Sequence, residues 1–173
     1  PDKLESHGAL LRLWVGALML TVMGRKRRPK RPPLFLLDEC AQLGEFGPLR
    51  QSMTLLRGYG LQVWPFFQDL SQLQRLYPKD WRTIFNNAGV FQLFGVANHL
   101  MAKESSELIG DINADALRAM TKDRQIISIS NETATSARLP DYLMDAPFAG
   151  QFDPNPMFEP DPGPTKRRPS RAR

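Results

Sequence analysis

The chain has one cysteine, Cys40, and two histidines, His7 and His99, in 173 residues. A single thiol excludes a disulfide framework, and so few Cys and His side chains give no zinc-site spacing. No apolar run is long enough for a membrane span of ~20 residues. The longest, Leu10 to Met23, is broken by Arg12 and lacks a signal-peptide processing pattern. The chain opens on Pro1-Asp2-Lys3 rather than methionine and reads as part of a longer protein. What remains is ordinary globular material: 42% hydrophobic residues, too many for a disordered chain and enough for one domain with a core.

Charge is uneven. Arg25, Lys26, Arg27, Arg28, Lys30 and Arg31 form one basic run, and Lys166, Arg167, Arg168, Arg171 and Arg173 form another. They hold 11 of the 23 cations and no acid; the other 12 cations face 18 acids, so the body is net acidic. Such runs either neutralise phosphates of nucleic acid or lipid, or are simply solvated loops and tails.

Leu34-Phe35-Leu36-Leu37 ends on Asp38-Glu39. Four bulky apolar residues followed by two carboxylates read as a buried strand that delivers acids to its carboxyl end. At such a position the first acid can serve a nucleotide's Mg²⁺ and the second can polarise the attacking water. The plain alternative is a core strand that exits into an acidic turn.

Around this strand, apolar residues from Leu10 to Met23 at spacings of three and four predict a helix, with Ser6 as N-cap and Gly24 as its stop. A second helix is expected over 46–58 and a second strand over 61–67, where Pro65 is awkward because it cannot donate to a ladder. Short helices over 69–76 and 80–87 precede a third strand at 90–95. Asn98 caps a helix to Ile109, Ala114–Met120 is another, and 125–129 a later strand. Beyond Pro140 the chain turns proline-rich; Phe148, Phe152 and Phe158 are candidate anchors, and 159–173 reads as a disordered basic tail. Strands alternating with helices predict an α/β domain with a largely parallel sheet over 1–158.

In a parallel sheet the ends of strands 34–38 and 61–67 share one rim, where ligands bind. That places Gln68 beside Asp38 and Glu39. A neutral amide there can bond a γ-phosphate or water without adding negative charge. Arg57, in the last turn of the intervening helix, either complements the helix dipole or reaches a phosphate held by a neighbouring subunit.

Leu34-Phe-Leu-Leu-Asp-Glu-Cys-Ala-Gln-Leu-Gly, Leu55-Leu-Arg-Gly-Tyr-Gly and Phe67-Gln-Asp-Leu-Ser-Gln-Leu together resemble the type IV coupling proteins, membrane-anchored ATPases of bacterial conjugation and type IV secretion. Asn86-Asn-Ala-Gly, Gln92-Leu-Phe-Gly-Val and Phe148-Ala-Gly-Gln-Phe-Asp-Pro-Asn-Pro extend the likeness over most of 1–158. The resemblance implies a RecA-like P-loop NTPase fold, ATP and Mg²⁺ as cofactors, and a homo-hexamer that moves single-stranded DNA. It also implies a relaxase and secretion-channel proteins as partners, and a parent at the cytoplasmic face of the bacterial inner membrane. By position it gives Asp38 and Glu39 the Walker-B roles, Gln68 the sensor role and Arg57 the trans-acting arginine role.

Two departures are plain. G-x-x-x-x-G-K-[ST] occurs nowhere, so the phosphate-cradling loop is absent from this sequence. Cys40 stands where the family often has phenylalanine and is expected to be a small packing residue. In RecA-like sheets the P-loop strand lies between the sensor strand and the next one. The resemblance therefore implies a gap between strands 61–67 and 90–95. The expected role is the C-terminal part of a coupling ATPase, inactive alone. A non-catalytic nucleic-acid-binding or assembly module built on the basic runs is the alternative.

Overall fold

The computed structural model describes residues 2–54, 58, 60–96, 98–130 and 132–153, with side chains from 8 onward. Helix α1 (Asp2–Met23) begins before Ser6, which therefore lies inside the helix rather than capping it. Met19 and Val22 are buried, and Gly16 lets the helix approach the Phe46 ring, 3.6 Å from where a Cβ would stand. Gly24 ends the helix as expected, its N–H donating to the Leu20 carbonyl.

The basic run leads to β1 (Leu34–Leu37), which passes through a 3₁₀ turn (Cys40–Leu43) to α2 (Gly47–Thr54). Strand β2 (Gln62–Pro65) then lies parallel to β1, with Leu34 opposite Gln62 and Leu37 opposite Pro65. The Gln62 and Phe66 N–H groups donate to the Pro33 and Leu37 carbonyls. By strand alternation, the nitrogens of Val63 and Pro65 face the opposite edge. Pro65 is thus tolerated because its missing donor falls outside the β1 ladder. Gly60 sets up the strand from a left-handed turn (φ 70°), and a Cβ there would lie 2.8 Å from Arg28 Cγ, so the position needs glycine.

Helices α3 (Leu70–Leu76) and α4 (Trp81–Asn87) cover this pair. Met19, Leu37, Cys40, Leu43, Phe46, Leu49, Leu73, Tyr77 and Ile84 form the core beneath it. Tyr77 is buried and locks α3 to the start of α2. Its hydroxyl accepts from the Phe46 N–H at 3.1 Å and faces the Phe46 carbonyl at 3.4 Å.

Strand β3 (Val90–Phe94), helices α5 (His99–Ile109) and α6 (Ala114–Arg118), and strands β4 (Arg124–Ile129) and β5 (Thr135–Arg138) build a second cluster around Ala102, Leu117 and Ile126. Asn98 caps α5 as its sequence position predicts, its side chain accepting from the Met101 N–H. The three strands pair antiparallel in the order β3-β4-β5. Parallel pairing among the described residues is therefore confined to β1–β2, a smaller share than the alternation of elements implied. The α/β class and RecA-like layout stand.

The gap that the resemblance implies is open among the described residues. β1–β2 and β3-β4-β5 are separate sheets, and no described ladder joins β2 to β3. A cleft of about 1150 Å³ lies between them.

The described residues 139–153 belong to a separate compact unit. Within it the Asp145 carboxylate accepts from the Asp141 N–H, and Phe152 meets Tyr142 edge-on at 5.3 Å. Phe158 and the basic tail, like Arg57, lie outside the described residues.

Candidate functional site

The rim at the carboxyl ends of β1 and β2 gathers three of the four residues singled out by sequence. Asp38 and Glu39 follow β1 directly and are exposed. Glu39 has a left-handed backbone, φ 47° and ψ 45°, the sole non-glycine described residue at positive φ. A bulky L-residue in that region is strained, and such strain persists where the surroundings enforce it. Here the enforcement is visible on both sides. The Glu39 N–H donates to Asp38 Oδ1 at 3.0 Å, and the Cys40 N–H donates to the Phe66 carbonyl at 2.9 Å. The Glu39 carbonyl accepts from Gln42 N–H, opening the 3₁₀ turn. The acids are thus carried on a turn bolted to β2.

Cys40 anchors that turn from below. It is 2% exposed, and burial pushes its thiol up to about 12. A thiol so far from ionisation is a packing group rather than a nucleophile, as its sequence context suggested.

Gln68 follows β2 at the same rim and is exposed. Its backbone N–H donates to Gln72 Oε1 at 3.0 Å, while its own Oε1 accepts from Gln72 Nε2 at 3.1 Å. This reciprocal pair spends the carbonyl of the Gln68 amide and leaves its NH₂ as the group to present to a ligand. Gln72 was not singled out by sequence. Asp69, expected as the first residue of the helix over 69–76, is the N-cap of α3: Oδ1 accepts from the Gln72 N–H at 2.9 Å and from the Ser71 hydroxyl at 2.7 Å. The Ser71 hydroxyl, then the Gln72 amide, hold its carboxyl below the usual range. The signal was available, since an Asp followed by Leu-Ser-Gln-Leu is an N-cap pattern.

Among the described residues no group of three or more Asp, Glu, His or Cys side chains could hold a metal ion by themselves. The donor set at the rim is two carboxylates and one amide. It fits a hydrated Mg²⁺ that is held mainly by a bound nucleotide, and it offers nothing for the phosphates beyond the Gln68 amide.

Solved structures that share this fold include bacterial conjugative coupling proteins. The unbound monoclinic form of the bacterial conjugative coupling protein TrwBΔN70 superposes with a TM-score of 0.67 at 19% identity, over 79% of this chain and 38% of that one. TrwB in complex with ADP and Mg²⁺ gives 0.66 at 20% identity over the same shares. The family model described as the TraM recognition site of TraD and TraG matches residues 32–147, and the chain belongs to that family. Curated relatives include conjugal transfer protein TraG of Agrobacterium fabrum, 36% identical over 74 residues, which is 43% of this chain and 11% of that protein. The probable conjugal transfer protein TraG of Sinorhizobium fredii is 31% identical over 74 residues, 43% of this chain and 12% of the relative. The chain thus spans about a tenth of the length of these curated relatives.

Proposed function

We propose that this chain supplies the metal-and-water side of the nucleotide site of a conjugative coupling ATPase. The observation that carries the reading is the parallel β1–β2 pair, which sets Asp38, Glu39 and Gln68 on one rim and holds Glu39 in a strained backbone. The curated relatives' role in conjugal transfer and the crystallised TrwB complex with ADP and Mg²⁺ support the same assignment.

A nucleotide-bound Mg²⁺ would supply charge neutralisation at the phosphates. Asp38 is the residue that would hold such an ion. Glu39 accepts a hydrogen bond from the attacking water and draws its proton, and the Gln68 NH₂ donates to a phosphate oxygen or to the same water. Arg57 belongs to this reading as a cation offered to a neighbouring subunit's phosphate. The parent protein would act as a hexamer at the cytoplasmic face of the inner membrane and pass single-stranded DNA, with its relaxase, to a type IV secretion channel. The family's description adds a TraM-like partner, for which the matched region 32–147 is the docking surface in this proposal.

The rim holds the water side and not the phosphate cradle, so the purified chain should turn over ATP at background rate, with or without Glu39→Gln. Turnover by the chain that Glu39→Gln abolishes would overturn the half-site reading. The exposed basic run 25–31 favours a second reading, a nucleic-acid-binding or assembly module. Salt-sensitive binding of a single-stranded oligonucleotide, lost when that run is neutralised, would favour it.

A further inference from the structure

The Gln68 amide has one end outside its pair with Gln72, and the structure dictates which end it is. A backbone N–H can only donate, so the Gln68 N–H, at 3.0 Å, requires Gln72 to turn Oε1 toward it. Gln72 Nε2 is then committed to the other side, and it too can only donate. It meets Gln68 at 3.1 Å, so Gln68 must answer with Oε1. The NH₂ of Gln68 is left outside the pair, on a residue that is exposed.

Helix α3 is the fixed point of this chain of bonds. Asp69 caps the helix by accepting from the Gln72 N–H at 2.9 Å, which makes Gln72 the third helical residue. In a capping box the side chain at that place returns to the N–H of the cap residue. Gln72 reaches one residue further back, past Asp69, and takes hold of the Gln68 side chain as well as its N–H. A cap needs only the acceptor; the second bond acts on the rim.

We propose that Gln72 is a positioning residue that sets the hydrogen-bonding polarity of the Gln68 amide, NH₂ outward, so that the rim presents one donor beside the Asp38 and Glu39 acceptors. A phosphate oxygen, or the oxygen of a water bonded to Glu39, then finds a donor at Gln68. A carbonyl in that place would repel the phosphate and compete with Glu39 for the water's protons. The inference rests on the nucleotide reading of the rim, but the polarity of the amide can be measured without nucleotide.

Gln72→Glu separates the two roles. The new carboxylate still accepts from the Gln68 N–H, and an acid in the first turn of a helix is favourable, so the cap is kept or improved. It has no donor, so the Gln68 amide should turn over, with its NH₂ toward the carboxylate and its carbonyl outward. In ¹⁵N spectra of the ligand-free chain, the Gln68 NH₂ should exchange with water ~3-fold more slowly in this variant than in the unsubstituted chain. Mg·ADP should bind the variant ~10-fold more weakly, while the urea midpoint holds or rises. Gln72→Met, which frees the amide without adding charge, should weaken Mg·ADP ~3-fold. Gln74→Glu, which adds the same charge to α3 two residues on, should weaken it by less than that. A Gln72→Glu chain whose Gln68 NH₂ exchanges as in the unsubstituted chain would overturn the proposal and leave Gln72 a cap. So would one that binds Mg·ADP no more weakly than Gln74→Glu does. If the unsubstituted chain binds no Mg·ADP at the rim, the nucleotide reading falls, and the exchange rates alone decide whether Gln72 sets the amide.

Discussion

Replacing Glu39 by glycine should stabilise the fold while removing the carboxylate from the rim. The side chain is exposed and its backbone sits at φ 47°, so the residue contributes strain and little packing. An L-residue in the left-handed region is disfavoured by ~1–2 kcal/mol. Glycine escapes that penalty but loses ~0.5–1 kcal/mol more chain entropy on folding. The net expectation is a gain of ~0.5–1 kcal/mol. With a urea slope of ~2 kcal/mol/M, the midpoint should rise by ~0.3–0.5 M. Glu39→Gln keeps the strained backbone and should leave the midpoint where it is. Urea unfolding followed by tryptophan fluorescence reads both. A glycine variant less stable than the parent chain would refute the claim that the turn is strained, and with it the argument that function maintains the strain.

Tyr77→Phe leaves the buried Phe46 amide without its partner at 3.1 Å and should cost about 1–3 kcal/mol in the same assay. Cys40 has its thiol raised from 9.0 to about 12 by burial, so the folded state binds the proton more tightly than the unfolded one. Its contribution to stability is therefore full below pH 9 and declines as pH rises toward 12, by at most ~1.4 kcal/mol per pH unit. Iodoacetamide at pH 8 should label it only after denaturant is added, which mass spectrometry reads directly.

Much of the rim could be read from the sequence because its signals are local. A four-residue apolar strand ending on acids, an Asn before an amphipathic helix and a Gly after it are all written within a few positions. Sequence signals failed where partners are distant or sides are wet. Strand β5, Thr135-Ser-Ala-Arg138, is an exposed edge with no apolar alternation to betray it. The antiparallel sense of β3, β4 and β5 was invisible because periodicity marks faces and carries no direction. Pro65 looked wrong for a strand until the hydrogen bonds of Gln62 and Phe66 showed which edge it faces. The left-handed turn at Glu39 could not be foreseen from a residue that rarely adopts it; it follows from the clamp between Asp38, Cys40 and Phe66.

The most direct test of the rim's assignment is a titration of the ¹⁵N-labelled chain with ADP in the presence and absence of Mg²⁺. The account predicts weak, ~1 mM binding (about −4 kcal/mol), strengthened by Mg²⁺, with amide shifts centred on Asp38, Glu39 and Gln68. Shifts confined to the basic run 25–31, or none at those three positions at several millimolar Mg·ADP, would contradict it.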